Sequence, residues 1–261
     1  MKQAISVAPP LLLAPSFAHH SIDKCRACWL FRYVVLYIAL LKSRRQPFMS
    51  RIRQHNLHVI LEAASAEFAA KGFDATQTRD IAARAGVPKA NLYYYFRSKE
   101  SLYAKVLLGF VEPLLEASAV LRESDDPVTG LQAYIAARIR IAREHPHIAK
   151  VFSGELLLGG RQLPEECRDL LYAEARRNVD CLRSWIARGL LAPVDPEHLM
   201  LFIWSATRTY TNLGWQMAHI TGRETPRDED YRDAAATITR LVLGGVGPVA
   251  VDEGKRLMFA T

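Results

Sequence analysis

Apolar residues recur at helical spacing over most of the chain after residue 50. The first run follows the i, i+3, i+4, i+7 pattern of an amphipathic helix. It consists of Leu57, Ile60, Leu61, Ala64 and Phe68. Further runs with the same period continue to residue 243, and no strand-like alternation interrupts them. The pattern therefore predicts an all-α fold.

Capping and turn signals predict short helices in the part of the chain that follows this first run. Gly72 ends the first helix, and Thr78 offers an N-cap hydroxyl to a second, short helix. Gly86 permits a tight turn, and Pro88 suits the first turn of a third helix. Ser98 then caps a fourth helix. Two short helices joined by a glycine-containing turn predict a helix-turn-helix.

The third predicted helix carries residues that can contact DNA. Lys89 can donate to guanine and Asn91 can pair with adenine, whereas tyrosine hydroxyls usually reach phosphates. The run YYYF (93–96) cannot face one way on a helix, so Leu92 and the phenylalanine of the run are expected to face inward. The tyrosines are then either DNA contacts or the rim of a core. Lys99, in the first turn of the fourth helix, is expected to help bind a phosphate.

The rest of the chain is predicted to form a larger helical body. Pro113 is expected to kink its first helix, because proline removes one backbone hydrogen bond. The segment 196–220 is apolar around most of its circumference, so we expect it to contact a core or ligand cavity on one side and a partner subunit on the other. The last helix would complete a four-helix dimer interface. The predicted helices cover residues 98–121, 127–144, 148–158, 164–187, 196–220 and 228–243.

Arg208 lies one turn after Trp204 on the apolar segment, and a guanidinium group in a core needs an acceptor. Two interpretations remain open. In the first, Trp204 stacks on a flat ligand while Arg208 donates to a carbonyl or carboxylate of that ligand, with Phe152 and Glu155 as the other candidate ligand contacts. In the second, Arg208 forms a salt bridge with Glu155 or another acidic residue.

Nothing in the sequence indicates an enzyme or a metalloprotein. It contains no Gly-x-Ser-x-Gly motif, no P-loop and no dinucleotide-binding fingerprint. Its histidines after residue 100 are scattered singly. Cys167 and Cys181 are 14 positions apart, which is too far for a bond within one helix. We therefore expect no catalytic residues, no metal and no cofactor.

The net charge of +7 is unevenly distributed. Residues 1–48 hold seven Lys and Arg against one Asp, and residues 49–109 hold nine against five acidic residues. Residues 110–261 hold eighteen against twenty-one. A basic front half joined to a mildly acidic back half is expected when one end of a protein meets a polyanion. The four cysteines are too few for a disulfide scaffold in 261 residues, so a reducing cytoplasmic location is expected.

Residues 1–48 do not continue this pattern, and we interpret Met49 as the true start of the protein. The apolar segment 29–41 has 13 residues, whereas a membrane-spanning helix needs about 20. An interfacial anchor over residues 29–45 remains an alternative, which would make the protein a membrane-tethered regulator. A metal site is not expected from the four potential ligands His19, His20, Cys25 and Cys28, because adjacent histidines splay apart.

The string TRDIAARAGVPKANLYYYFRSKESLY, residues 78–103, resembles the DNA-binding signature of the TetR family. The resemblance implies a three-helix DNA-binding head, here residues 49–97, and a helical body, residues 98–246, that binds a small ligand and dimerises, followed by a tail over residues 247–261. Pro88 departs from the serine that is more common before the recognition helix. The DNA contacts that the resemblance implies are Thr78, Arg79, Lys89, Ala90, Asn91, Tyr93, Tyr94, Tyr95 and Lys99.

The body resembles the pyrimidine-utilisation repressor (RutR-like) subgroup of the same family. The resemblance rests on VFSGELLLGG (151–160), SWIARGLLAPVDPEHLMLFIWSATRTY (184–210) and TGRETPRDEDY (221–231). It implies a dimeric repressor that senses uracil or a related pyrimidine, binds double-stranded DNA, and controls genes for nucleobase breakdown. Arg208 stands where that subgroup carries a glutamine, which favours a more anionic effector, such as an acidic pyrimidine or its ring-opened ureido acid.

Overall fold

The computed structural model of the protein describes residues 51–246, and residues 53–246 lie within one compact unit. The described residues form ten helices and no strand, as the sequence pattern predicted. The head contains α1 (Arg51–Ala75), α2 (Thr78–Arg84) and α3 (Lys89–Tyr95). The body contains α4 (Lys99–Glu123), α5 (Pro127–Glu144), α6 (Pro146–Leu157), α7 (Glu165–Ala187), α8 (Pro196–Asn212), α9 (Gly214–Thr221) and α10 (Asp228–Val246).

Local signals place most helix ends as predicted. Gly72 interrupts α1 with a φ of 77° and a ψ of 174°, a conformation that is essentially restricted to glycine. Ser98 caps α4 by accepting from the backbone N–H of Ser101, and the Ser101 hydroxyl accepts from the backbone N–H of Ser98. Asp126 caps α5 in front of Pro127. These caps fix where the chain enters α4 and α5.

Three predicted helix boundaries were wrong. Thr78 is the first residue of α2 and not its N-cap, because the first helical hydrogen bonds are accepted by the Gln77 carbonyl. Pro88 is the N-cap of α3 and not part of its first turn. The segment 196–220 is two helices, because the helix ends at Asn212 and restarts at Gly214. Asparagine and glycine are weak helix formers, which explains the break.

Two hydrophobic cores hold the helices together. The first joins the head to the body: Ile60, Ile81 and Leu92 from the head pack in the same cluster as Leu102 and Phe110 of α4. The second lies within the body, where Leu121 of α4 packs with residues of α5, α7, α8 and α10. Because α4 contributes to both cores, it mechanically connects the DNA-binding head to the rest of the molecule.

Candidate DNA interface and effector cavity

The third helix, α3, presents a polar edge to solvent. Leu92 is fully buried and Phe96 is almost fully buried, as the helical spacing predicted. Lys89, Ala90 and Asn91 are exposed on the opposite side. The helix is therefore anchored by apolar side chains that leave its potential base-reading residues free.

Two of the three consecutive tyrosines also face outward. Tyr93 is 45% exposed and Tyr94 is 66% exposed, whereas Tyr95 is half-buried. The Tyr93 hydroxyl lies 3.1 Å from the hydroxyl of Thr78 on α2. This bond connects the two helices of the helix-turn-helix on their exposed side, so both hydroxyls are held where a backbone phosphate could reach them.

Lys99 points towards the head and not towards solvent. Its ammonium group donates to three carbonyl oxygens at the end of α1: that of Phe73 at 2.8 Å, and those of Asp74 and Thr76 at 3.2 Å each. The same ammonium lies 4.4 Å from the centre of the Phe73 ring. Arg79 of α2 differs from Lys99, because its side chain is exposed and lies near the carboxylate of its neighbour Asp80, at 3.5 Å. Lys99 thus ties α4 to α1.

A charged cluster that the sequence did not reveal holds α2 against α1. The nearly buried carboxylate of Glu67 lies 2.7 Å from Lys71 and 3.1 Å from Arg84. Lys71 also reaches Asp80, at 2.9 Å. Hydrogen bonding from Lys71 lowers the pKa of Glu67, with a smaller contribution from Arg84 and an opposing effect of burial. The cluster orients α2 relative to the helix on which it packs.

The body contains a cavity of about 200 Å³ between α4, α5, α6, α7 and α8. Apolar and aromatic side chains form much of its wall, among them Phe110, Leu114, Phe152 and Trp204. Trp204 is fixed in place because its indole N–H donates to the buried Tyr134 hydroxyl at 2.7 Å. A cavity of this kind, which combines an apolar and rigid aromatic wall with several polar side chains, has the form of a small-molecule site.

Two arginines line this cavity. Arg208 of α8 and Arg138 of α5 both contribute to the wall, and both are half-buried. Burial lowers the pKa of Arg208, and the nearby positive charge of Arg138 lowers it further. The sequence pattern identified Arg208 but not Arg138, because only the packing of α5 against α8 brings the two together.

At another part of the cavity wall, Glu174 and Asn178 of α7 form a polar group with α4. Arg122 of α4 lies 2.5 Å from the Glu174 carboxylate and also donates to Asn178. Asn178 in turn donates to Ser118 at 3.1 Å. These contacts connect cavity-lining residues of α7 with α4, the helix that continues from the head.

Glu155 does not line the cavity and does not pair with Arg208, so both roles predicted for it were wrong. Its buried carboxylate accepts from the Tyr103 hydroxyl at 3.1 Å and from the backbone N–H of Gln162 at 2.6 Å. Tyr103 belongs to α4 and packs edge-on against Phe68, with ring centres 4.8 Å apart. Phe152, one turn before Glu155, does line the cavity.

Two features considered from the sequence lie outside the described residues. One is the alternative membrane anchor at 29–45, and the other is the set of potential metal ligands His19, His20, Cys25 and Cys28. Among residues 51–246, no three His, Cys, Asp or Glu side chains cluster as metal ligands. None of the helices in that range is long and apolar enough to cross a bilayer.

The fold and the exposed third helix are those of a helix-turn-helix regulator, and comparison with known proteins identifies its family. A model for bacterial regulatory proteins of the tetR family matches residues 60–106, and one for the YcdC-like protein C-terminal region matches residues 107–249. The HTH-type transcriptional regulator RutR of Escherichia coli (strain K12) is 34% identical over 190 residues, which covers 72% of this chain and 89% of RutR.

Solved structures agree with this assignment. The ketosteroid transcriptional regulator KstR2 of Mycobacterium tuberculosis has a TM-score of 0.60 at 25% identity and covers 73% of this chain and 94% of its own. The transcriptional regulator SCO4942 of Streptomyces coelicolor has a TM-score of 0.57 at 26% identity, and the match covers 73% of this chain and 98% of the SCO4942 chain. The chain belongs to the TetR family of DNA-binding transcriptional regulators and is not an enzyme.

Proposed function

We propose that this protein is a ligand-responsive repressor that binds a palindromic operator as a homodimer and releases it when a small planar effector enters the cavity. We propose further that its target genes serve the breakdown of pyrimidines or related nucleobases. The observation that carries the proposal is the exposed polar edge of α3, on which Lys89 and Asn91 are exposed while Leu92 is buried. The resemblance of the body to pyrimidine-utilisation repressors supports the choice of target genes.

The chemistry of α3 suits the major groove of DNA. Lys89 can donate to guanine, and the amide of Asn91 can pair with both edge groups of adenine. Thr78, Arg79, Tyr93 and Tyr94 lie on the exposed side of the helix-turn-helix and would contact phosphates. One such helix reads only a half-site. Two copies whose third helices are about 34 Å apart would reach successive major grooves, so the proposal requires a dimer.

A connected set of contacts can carry the effector's influence to the head. Phe152 faces the cavity, and Glu155 on the same helix binds Tyr103 of α4. Tyr103 packs against Phe68 and Phe73 of α1, with ring centres 4.8 and 4.9 Å apart. An effector that prefers one position of α6 would therefore favour one position of the head. A preference of about a hundredfold, or ~2.7 kcal/mol, is enough for a usable switch.

The experiment that tests DNA recognition is a fluorescence-anisotropy titration at a stated salt concentration with DNA from upstream of the protein's own gene. We expect specific binding by the wild type. The Asn91→Ala variant should lose about fivefold or more in affinity for that DNA, since a bidentate base contact is worth about 1–3 kcal/mol, while binding to random DNA should change little.

The matched control for this titration is Gln132→Ala, which removes an exposed amide from α5 in the body and should leave DNA binding unchanged. Operator binding by Asn91→Ala that equals wild-type binding would contradict the proposed role of α3. Absence of specific binding by the wild type would overturn the proposed function.

A further inference from the structure

Arg138 and Arg208 line the same cavity, and they differ from the arginines of the body that pair with carboxylates. Arg122 and Arg177 pair with Glu174, Arg183 pairs with Glu197 on α8, and Arg223 pairs with Asp230. Among the described residues, no carboxylate pairs with Arg138 or Arg208, although both line the same cavity. The body therefore holds two neighbouring positive charges without a negative charge beside them.

Two neighbouring guanidinium groups are unfavourable unless an anion compensates their charge. Moving a charge out of water costs free energy unless an opposite charge or hydrogen bonds compensate. The two guanidinium groups also repel each other, because the aromatic and aliphatic wall around them screens charge less than water does. Glu174, the acidic side chain of the cavity wall, is held by Arg122 and Arg177 and is not available to them.

We propose that the effector is a small carboxylate that also carries a flat ring or ureido group, with the carboxylate held by Arg138 and Arg208 and the flat group against Trp204. This inference rests on the proposed function, because it takes the cavity to be the effector site. A guanidinium pairs with a carboxylate through two parallel hydrogen bonds, which gives both affinity and orientation. Acidic pyrimidines and the ureido acids formed when a pyrimidine ring opens both have this chemistry.

The rest of the cavity fits the remainder of such a molecule. Its volume of about 200 Å³ is at or below the lower end of small-molecule sites, so a compact acid fits better than a steroid or a long acyl chain. Ring or ureido N–H groups would need acceptors, and Glu174, Asn178 and Ser118, whose side chains carry oxygen atoms, line the same cavity. Uncharged uracil could meet those acceptors but would leave both guanidinium groups without a negative partner.

Isothermal titration calorimetry on the full chain tests this proposal. The probes are orotate as an acidic pyrimidine, 3-ureidopropionate as a ring-opened ureido acid, uracil as the neutral pyrimidine, and acetate as a simple anion. We expect orotate or 3-ureidopropionate to bind at least tenfold more tightly than both uracil and acetate. A preference between orotate and 3-ureidopropionate then identifies the closed-ring or the open-chain form.

Variants of the two arginines make the test specific. Arg208→Gln and Arg138→Gln should each weaken binding of the acid at least tenfold and reduce the ratio of its affinity to that of uracil. The affinity of Arg208→Lys for the acid should lie between those of the wild type and Arg208→Gln. Arg183→Gln, an exposed arginine of α7, should bind like the wild type. Ligand-free Arg208→Gln should unfold at a temperature no lower than that of the wild type, because it removes one of two repelling charges.

The proposal is overturned if neither acid binds, if uracil binds as tightly as the acids, or if both glutamine variants bind the acid like the wild type. An operator-binding titration in the same preparation separates this result from the proposed function. Specific DNA binding without any response to an acid contradicts only this inference. Acid binding through the two arginines without specific DNA binding contradicts only the proposed DNA-binding function.

Discussion

At the scale of single residues, Glu67 shows how a carboxylate of α1 can stabilise the head. It is nearly buried, yet it stays charged because Lys71 and Arg84 supply hydrogen bonds and positive charge. Arg84 belongs to α2, so the pair also connects two helices of the head. The stabilising effect depends on the ionised form of Glu67, and it must therefore depend on pH.

Lowering the pH should weaken this contact in a predictable way. The pKa of Glu67 is lowered from its usual value of 4.5, so the stabilisation is fully present above that value and is lost as the pH falls through the folded-state pKa. We expect the free energy of unfolding to fall more steeply below pH ~4.5 in the wild type than in Glu67→Gln. Urea unfolding followed by circular dichroism at several pH values measures this difference.

The control for that series is Glu62→Gln, which changes an exposed glutamate of the same helix and should follow the wild-type curve. Parallel loss of stability in the wild type and in Glu67→Gln would show that the cluster does not contribute.

At the scale of helices, the approach of α5 to α4 and α7 depends on the absence of a side chain at Gly130. A Cβ atom built there would lie 2.8 Å from the Trp185 ring and 2.9 Å from the Leu121 carbonyl oxygen. The Trp185 ring is itself buried, and the Leu121 oxygen is backbone, so neither can move easily. The start of α5 is therefore packed against its neighbours as closely as a glycine allows.

Gly130→Ala should destabilise the protein by about 1–3 kcal/mol, because overpacking outweighs the helix propensity that alanine adds. The matched control is Gly154→Ala in α6, where an added Cβ meets nothing within 4 Å. That variant should gain about 0.5–1 kcal/mol. Urea unfolding midpoints of the two variants provide the measurement, and a Gly130→Ala protein as stable as the wild type would contradict the packing argument.

Local sequence signals predicted the helices well, because caps, prolines and glycines act on residues close in the chain. The predicted end of α7 at Ala187 is confirmed, and the remaining predicted body bounds agree within three residues except at 213, where one predicted helix is two. The all-α class and the exposed α3 followed from the same signals. These features depend on hydrogen bonds and apolar periods that span only a few positions.

The partners of the polar side chains could not be predicted in the same way. Lys99 binds carbonyls 23 to 26 positions away, and Glu155 binds Tyr103 52 positions away. The Arg138 and Arg208 pair likewise exists only because α5 packs beside α8. Helical periodicity gives the face on which a side chain lies, but it does not give the helix that packs against that face.

At the scale of the whole molecule, α8 and α10 leave apolar side chains exposed. Leu201 and Phe202 of α8 are each 51% exposed, and Leu241 of α10 is 61% exposed. On the other side of α8, Ile203 is fully buried and Trp204 faces the cavity. Apolar residues on both sides of α8 agree with the expectation that one side of this helix lines a cavity and the other contacts a second copy of the chain.

We therefore expect Phe202→Glu to be a monomer under conditions where the wild type is a dimer, because a charge at the centre of an apolar interface is not tolerated without a partner. Its operator affinity should fall, since the two half-sites would be bound independently. Sedimentation velocity gives the oligomeric state. Leu157→Glu, at an 85% exposed apolar residue of α6, serves as control and should remain dimeric. A dimeric Phe202→Glu would exclude this face as the interface.

The head is joined to the first turns of α4, because Lys99 donates to three carbonyls of the head and Tyr103 packs against Phe68 and Phe73. We therefore expect any movement of the reading helices relative to the body to bend α4 at a point beyond these turns. Pro113 offers that place, since its ring has no N–H to bond the backbone four residues earlier. A small bend at this proline would change the separation of two α3 helices in a dimer while leaving each head internally unchanged.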